Sequence, residues 1–314
     1  CLSWWIEEVE LMRIGITGAS GMLGTSLVSH LSKRHDMFAT SRGKGIEGQN
    51  IEWNCFDLTN ATLLNEWLEE IKPDVIIHCA AIVNVDACED GVEMATRLHV
   101  ETTKIMTNYL DANNGKLIYI STDSVFDGKK QDPYSEGDIP NPLNAYAKTK
   151  VAGEKVTLSI KNGLALRVNI IGWTQEGRTS FAEWMLKSLI DSTPLNLFHD
   201  VYFSPLTVEE LSLIIEKIID NPIFGLYHCA SSDSISKYDF GKKMAEIFQL
   251  SDSNISRVSV DEMHFRAKRP KNMALNSDKL SDQLKYDIPG AVDSIVRMKN
   301  QYNIRLKENI IFKL

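Results

Sequence analysis

Residues 12–24 read Met12-Arg13-Ile14-Gly15-Ile16-Thr17-Gly18-Ala19-Ser20-Gly21-Met22-Leu23-Gly24, an apolar run that breaks into glycines and continues into Leu27, Val28 and Leu31 at helical spacing. This order encodes a buried strand, a tight turn and a helix, since glycines permit the turn and the spaced apolar residues define one helix face. The turn would deliver a helix N-terminus to the strand's carboxyl end. Free N–H groups and a positive dipole end there suit a pyrophosphate. Gly18, Ser20, Gly21, Met22, Leu23 and Gly24 are therefore candidate contacts to a dinucleotide. A bare strand–helix turn would use the same glycines, and their place at the first strand of a repeating series favours the dinucleotide.

Outward from this stretch, Arg13–Thr17, Met37–Thr40, Val75–Cys79, Leu117–Ser121 and Leu164–Val168 are short β-type runs set between amphipathic or glycine-bearing stretches. Leu63, Leu64, Trp67, Leu68 and Ile71 have helical spacing, and Pro73 stops the helix directly before Val75. Such a βαβ rhythm builds an open parallel sheet with ligands beyond the carboxyl ends of its strands. Past Val168, the sequence predicts helices over Phe181–Ile190 and Glu209–Ile219, a strand over Gly225–Cys229 and a helix over Ser236–Phe248 with Ser236 as N-cap. The expected fold is α/β, a Rossmann-type doubly wound parallel sheet with a smaller C-terminal α/β substrate lobe. The expected boundaries are an appendage over 1–11, a dinucleotide domain over 12–168 with a returning contribution from about 205–228, a substrate lobe over 169–204 and 229–302, and a tail over 303–314.

The chain has 314 residues, 43% hydrophobic and 24% charged, enough for a full core, and its net charge of −8 disfavours nucleic acid or an anionic membrane as principal partner. No apolar run approaches the roughly 18 residues that span a bilayer. Five scattered cysteines, Cys1, Cys55, Cys79, Cys88 and Cys229, make a poor disulfide framework and fit a reducing cytoplasm. The first eleven residues contain three glutamates and no Lys or Arg, the wrong charge for an export signal.

About 20 residues beyond the glycines, sites that prefer NAD place an acidic residue on the ribose hydroxyls. Here the sequence reads Thr40-Ser41-Arg42-Gly43-Lys44, so Ser41 and Arg42 suit a 2′-phosphate and favour NADPH, with NAD possible. Tyr146 and Lys150 stand four apart, on one face of any helix that contains them, where an ammonium is expected to lower the phenol's pKa. The spacing alone says little, because Tyr238 and Lys242 repeat it. Tyr146 follows a strand ending in Ser121-Thr122-Asp123, whereas Tyr238 follows an N-cap serine and is assigned to packing.

TGASGMLG (17–24), HCAAIVNVDACE (78–89), STDSVFDG (121–128), PYSEGDIPNPLNAYAKTKVAGE (133–154), SPLTVEEL (204–211), GLYHCASSDSISKYDF (225–240) and AKRPKNMALNSDKL (267–280) occur in this order. As an ordered set they resemble the extended short-chain dehydrogenases, and most of all the dTDP-4-dehydrorhamnose reductase branch. The resemblance implies that Thr122 polarises the substrate, Tyr146 donates a proton and Lys150 supports both tyrosine and cofactor. It places Asp57 and Leu58 at the adenine and Cys79, Ala80 and Ala81 beneath the cofactor. Asn169, Ser204 and Arg269 become candidate substrate grips. His99 stands where the wider superfamily commonly carries asparagine, and is read as a satisfied helix histidine.

The implied activity is NADPH-dependent reduction of the 4-keto group of a nucleotide-linked 6-deoxy sugar, in a possible homodimer. A non-catalytic NADP-binding regulatory subunit resembling the methionine adenosyltransferase β subunit remains open, as does an epimerase or dehydratase of the same fold. No H-E-x-x-H or clustered Cys/His spacing is present, so no dedicated metal site is expected.

Overall fold

A computed structural model describes residues 11–43, 45–175, 178–263 and 265–307. Seven parallel strands form the main sheet: β1 (Arg13–Thr17), β2 (Asp36–Ser41), β3 (Ile51–Cys55), β4 (Val75–His78), β5 (Lys116–Thr122), β6 (Gly163–Val168) and β7 (Gly225–Cys229). Their order is β7-β6-β5-β4-β1-β2-β3, so the chain reverses direction across the sheet between β1 and β4. That switch point opens a crevice at the strand ends. Strands β4 and β6 are buried at every position, as expected of parallel strands covered on both faces. Sequence periodicity missed β3, an edge strand of composition IEWNC in which no residue is fully buried; an edge needs no continuous apolar run.

Helix α1 (Met22–Leu31) buries Leu23, Leu27, Val28 and Leu31, the face read from the sequence. Helix α2 (Ala61–Ile71) starts at Asn60, whose side chain accepts from the Thr62 and Leu63 N–H groups, and ends at Lys72 in the left-handed region before Pro73. Helix α3 (Val85–Asp90) follows β4, and α4 (Val92–Thr96) runs through a π turn at Arg97–Glu101 into α5 (Thr102–Ala112). Helix α6 (Ala145–Thr157) then carries the Tyr/Lys face against β5.

The C-terminal lobe has its own core, in which Trp173, Met185, Leu195, Leu197, Phe203, Phe240 and Ile295 are buried together. It includes α7 (Phe181–Ile190), begun by a reciprocal Ser180/Glu183 capping box, and α9 (Lys237–Phe248), begun by Ser236 accepting from the Asp239 N–H; between them, α8 (Val208–Asp220) packs on α1. Backbone contacts join the lobes. Asn272 Nδ2 donates to the carbonyls of Lys130, Gln131 and Asp132 at 2.8, 3.1 and 3.2 Å, and the Tyr134 N–H donates to Ala274 O at 2.8 Å. Gly128, at φ +74°, lies where a Cβ would meet Lys271 N at 2.5 Å. Among the described residues no helix is long and apolar enough to cross a membrane.

One buried ion pair fastens α6 to the sheet. Arg167 on β6 donates from Nε and Nη2 to the two oxygens of Glu154 at 2.9 and 2.8 Å, and Ser121 Oγ donates to Glu154 Oε1 at 2.5 Å. Arg167→Met strands a buried carboxylate and is expected to destabilise the protein by about 3–5 kcal/mol. Adding Glu154→Leu should recover much of that loss, as urea unfolding of both variants would show.

Candidate active site

Gly18 turns the chain at φ +65°, and a Cβ there would meet the Ala80 N and Cα at 2.7 Å. Only a glycine lets the loop rest on the segment leaving β4. A Cβ on Gly24 would meet Gly18 O at 2.5 Å, so α1 sits equally close behind the turn. The N-cap of α1 is Gly21, and no side chain caps the helix. Its first turn is therefore left without a side-chain cap behind a close-packed glycine turn, which fits a pyrophosphate. Ala19 N–H donates to Thr40 O at 3.1 Å, tying the loop to β2. From the C-terminal lobe, Arg178 reaches Ser20 O at 3.4 Å and Gln175 Nε2 reaches Thr25 Oγ1 at 3.0 Å.

At the end of β2, Ser41 donates to Gly43 O, and Arg42 is exposed. Asp57 accepts from the Thr59 N–H and hydroxyl at 2.9 and 2.8 Å; these bonds, with the Arg42 guanidinium nearby, hold its carboxyl below the usual range. Leu58 is buried beside it. Arg42, Asp57 and Leu58 thus gather at one end of the crevice; Lys44 lies outside the described residues, as do residues 1–10 and 308–314 of the expected appendage and tail. On the other side Cys79, Ala80 and Ala81 leave β4, with Cys79 N–H donating to Thr17 O at 3.2 Å and Ala80 N–H to Thr17 Oγ1 at 3.4 Å.

The last residue of β5, Thr122, stands near enough to the Tyr146 phenol of α6 to favour its ionised form against burial. Its hydroxyl also donates to Asp123 Oδ1 at 3.0 Å and accepts from the Ser124 N–H at 3.2 Å. Lys150 is buried, with Nζ donating to Ile120 O at 2.6 Å and standing 4.0 Å above the Tyr119 ring. Burial pulls its ammonium down to about 7, opposed chiefly by Glu154. The sequence expectation that Lys150 lowers the phenol's pKa is not met. Burial pushes Tyr146 up to about 12, opposed by the nearby Thr122 hydroxyl, while the Lys150 ammonium is directed to the Ile120 carbonyl of β5.

His99 lies in the π turn with both ring nitrogens engaged. Nε2 accepts from the Ile82 N–H at 3.0 Å, so the ring proton sits on Nδ1 and points to Thr149 Oγ1 at 2.8 Å. Burial, with Lys150 next, lowers its pKa to about 2. A neutral histidine therefore fixes α6 one turn beyond Tyr146 and packs edge-on to that ring at 6.0 Å.

The three candidate substrate grips differ in placement. Asn169 follows β6 and donates Nδ2 to Asp123 Oδ2, beside Thr122. Arg269 ion-pairs with Asp86 of α3 at 3.1 Å and its Nε has no hydrogen-bond partner. Ser204 is 0% exposed, and its hydroxyl accepts from the Leu275 N–H at 3.4 Å. Sequence reasoning missed Asp123 and Lys237. Asp123 lay inside the quoted Ser-Thr-Asp strand end, whereas Lys237 occupied an ordinary first helix position, and only the packing of the two lobes brings its charge near Asp123. Tyr238 packs in the C-terminal core and Lys242 ion-pairs with Asp252, so this second Tyr/Lys pair has structural partners.

An open parallel sheet whose switch point offers a glycine turn and a Tyr/Lys helix defines a member of the extended short-chain dehydrogenase class. The chain belongs, within that class, to the family described as the RmlD substrate binding domain, whose model matches residues 12–304. It is similar to methionine adenosyltransferase 2 subunit beta of Xenopus laevis, 32% identical over 88% of this chain and 85% of that protein. It is also similar to dTDP-4-dehydrorhamnose reductase of Aggregatibacter actinomycetemcomitans, 28% identical over 86% of this chain and 92% of the relative. The crystal structure of dTDP-4-dehydrorhamnose reductase from Bacillus anthracis str. Ames in complex with NADP superposes with a TM-score of 0.82 at 27% identity, covering 93% of this chain and 100% of the other.

Gly18→Ala would drive a methyl into the Ala80 backbone and force a left-handed residue other than glycine. We expect NADPH affinity, read by fluorescence quenching, to fall at least about tenfold (about 1.4 kcal/mol). Unchanged affinity would mean that the loop does not hold the pyrophosphate.

Proposed function

We propose that this protein reduces the 4-keto group of a nucleotide-linked 6-deoxy sugar, with NADPH as the preferred reductant. The observation that carries the reading is the placement of Thr122, at the end of β5, near enough to the buried Tyr146 phenol to act on its acidity, beside a glycine turn that leaves no room for a side chain. Relatives and structural neighbours named dTDP-4-dehydrorhamnose reductase support it. The glycine loop would hold NADPH with Arg42 toward its 2′-phosphate, and the bound cofactor would supply the hydride.

The protein's own part is orientation and proton delivery. Thr122 turns its single proton from Asp123 to the carbonyl oxygen, and Tyr146 donates its phenolic proton to the oxygen as negative charge develops there. With its pKa near 12, the phenol remains a full proton reservoir at neutral pH. Lys150, held by the Ile120 carbonyl, would bind the nicotinamide ribose. Asn169 keeps Asp123 oriented beneath the sugar, and Arg269, released from Asp86, would meet the nucleotide's diphosphate.

A second reading has its own support, because the β subunits of methionine adenosyltransferase 2 are 30–32% identical to this chain. In that reading the protein binds NADP as a regulatory subunit and turns nothing over. Stoichiometric loss of NADPH on mixing with dTDP-, UDP- or GDP-linked 4-keto-6-deoxy sugars separates the readings; tight NADPH binding without turnover favours the subunit.

Tyr146→Phe should lower kcat by about 10²–10⁴, the usual worth of a positioned acid, while leaving NADPH affinity within about twofold. Full retention of turnover would remove Tyr146 from the reaction. The Lys150 ammonium is charged below about pH 7 and is lost above it, so kcat/KM should decline as pH rises past about 7. A flat profile from pH 6 to 9 would contradict a need for that charge.

A further inference from the structure

Lys237 is the first residue of α9, and its N–H is held by Val201 O at 3.0 Å. Its ammonium lies 3.4 Å from the centroid of the Phe203 ring and 4.2 Å from that of Phe181, a two-sided aromatic box. Asp123, at the end of β5, is close enough to act on it electrostatically. Among the described residues, however, no acceptor takes a hydrogen bond from Lys237 Nζ. Its three charged donors are turned to no protein acceptor on a half-buried side chain, an arrangement that a bound acceptor would complete.

The Asp123 carboxylate is also incomplete. Asp123 Oδ1 receives the hydroxyls of Thr122 at 3.0 Å and Ser124 at 3.2 Å, and Oδ2 receives Asn169 Nδ2. Two lone pairs per oxygen leave Oδ2 able to accept one more hydrogen bond. An ammonium with free donors within electrostatic reach of a carboxylate with a free lone pair suits a hydroxyl, which accepts from one and donates to the other. A phosphate or carboxylate would gain from Lys237 but be repelled by Asp123.

We propose that Lys237 and Asp123 form a hydroxyl-reading subsite that engages the sugar's C3 hydroxyl, next to the carbon whose oxygen faces Thr122 and Tyr146. The inference rests on the nucleotide-sugar reading above and gives the C-terminal lobe a direct part in choosing the sugar. The aromatic box holds Lys237 in place before the ligand arrives, so little side-chain freedom is lost on binding.

Calorimetry on the full chain loaded with NADP tests this with dTDP-rhamnose and, as the ligand lacking a sugar, dTDP. Lys237→Met keeps the apolar stem between the rings; it should weaken dTDP-rhamnose binding at least tenfold and dTDP binding less than twofold, with Lys237→Arg restoring part of the loss. Equal weakening of both ligands would assign Lys237 to the diphosphate, and no weakening of either would remove it from the site; both overturn the subsite. If Lys237→Met fails to fold, the ligand is varied instead. Wild-type protein should bind the corresponding dTDP-linked 3-deoxy sugar at least tenfold more weakly than dTDP-rhamnose, and equal affinity overturns the proposal. NADPH turnover is not read in these measurements, so failure of the reductase assay and failure of the subsite are separate results.

Discussion

The buried pair between Arg167 and Glu154 sets the geometry of the whole crevice. It joins β6 to α6 through two short charge-assisted hydrogen bonds, with Ser121 of β5 as a third member. Glu154 lies one turn beyond Lys150 on α6, so fastening it to β6 also fixes how far Lys150 reaches over β5. The same carboxylate supports the Lys150 charge against burial. A hydrophobic contact would hold the helix equally firmly, but it would leave this buried lysine without a compensating negative charge.

Around that anchor, packing rather than titration keeps the polar groups in definite states. His78 and His99 are buried near Lys150 and remain neutral, with pKa values near 3 and 2, each with a ring nitrogen bonded to a threonine hydroxyl. The charges that survive in the crevice are therefore few and directed. Lys150 faces β5, and Lys237 faces Asp123 from the other lobe. In the proposed reading, the glycine turn would bind a constant cofactor and the side chains at the end of β5 would discriminate the sugar.

Much of this was legible in the sequence. The first strand, the glycine turn and the α1 face followed from periodicity, and Gly225–Cys229 and Phe181–Ile190 occur at the residues expected. Other elements carried too weak a local signal. Strand β3 is half exposed at the sheet edge, and the π turn at His99 depends on the Ile82 and Thr149 contacts that close around it. The expected coupling of Tyr146 to Lys150 failed for a similar reason. Spacing put the two residues on one face, but it carried no information about the Ile120 carbonyl that takes the ammonium.

The sequence by itself determined the alternating α/β architecture, the phosphate-binding turn and the Tyr/Lys helix, because each depends on neighbours within a few residues along the chain. Tertiary structure alone decided which hydroxyls, charges and lone pairs gather at the end of β5. Asp123 and Lys237 are 114 positions apart in the chain, and only the folding of the C-terminal lobe against the sheet brings them within electrostatic reach. Desolvation and hydrogen-bond satisfaction depend on everything surrounding a group in space, and local spacing does not encode those surroundings.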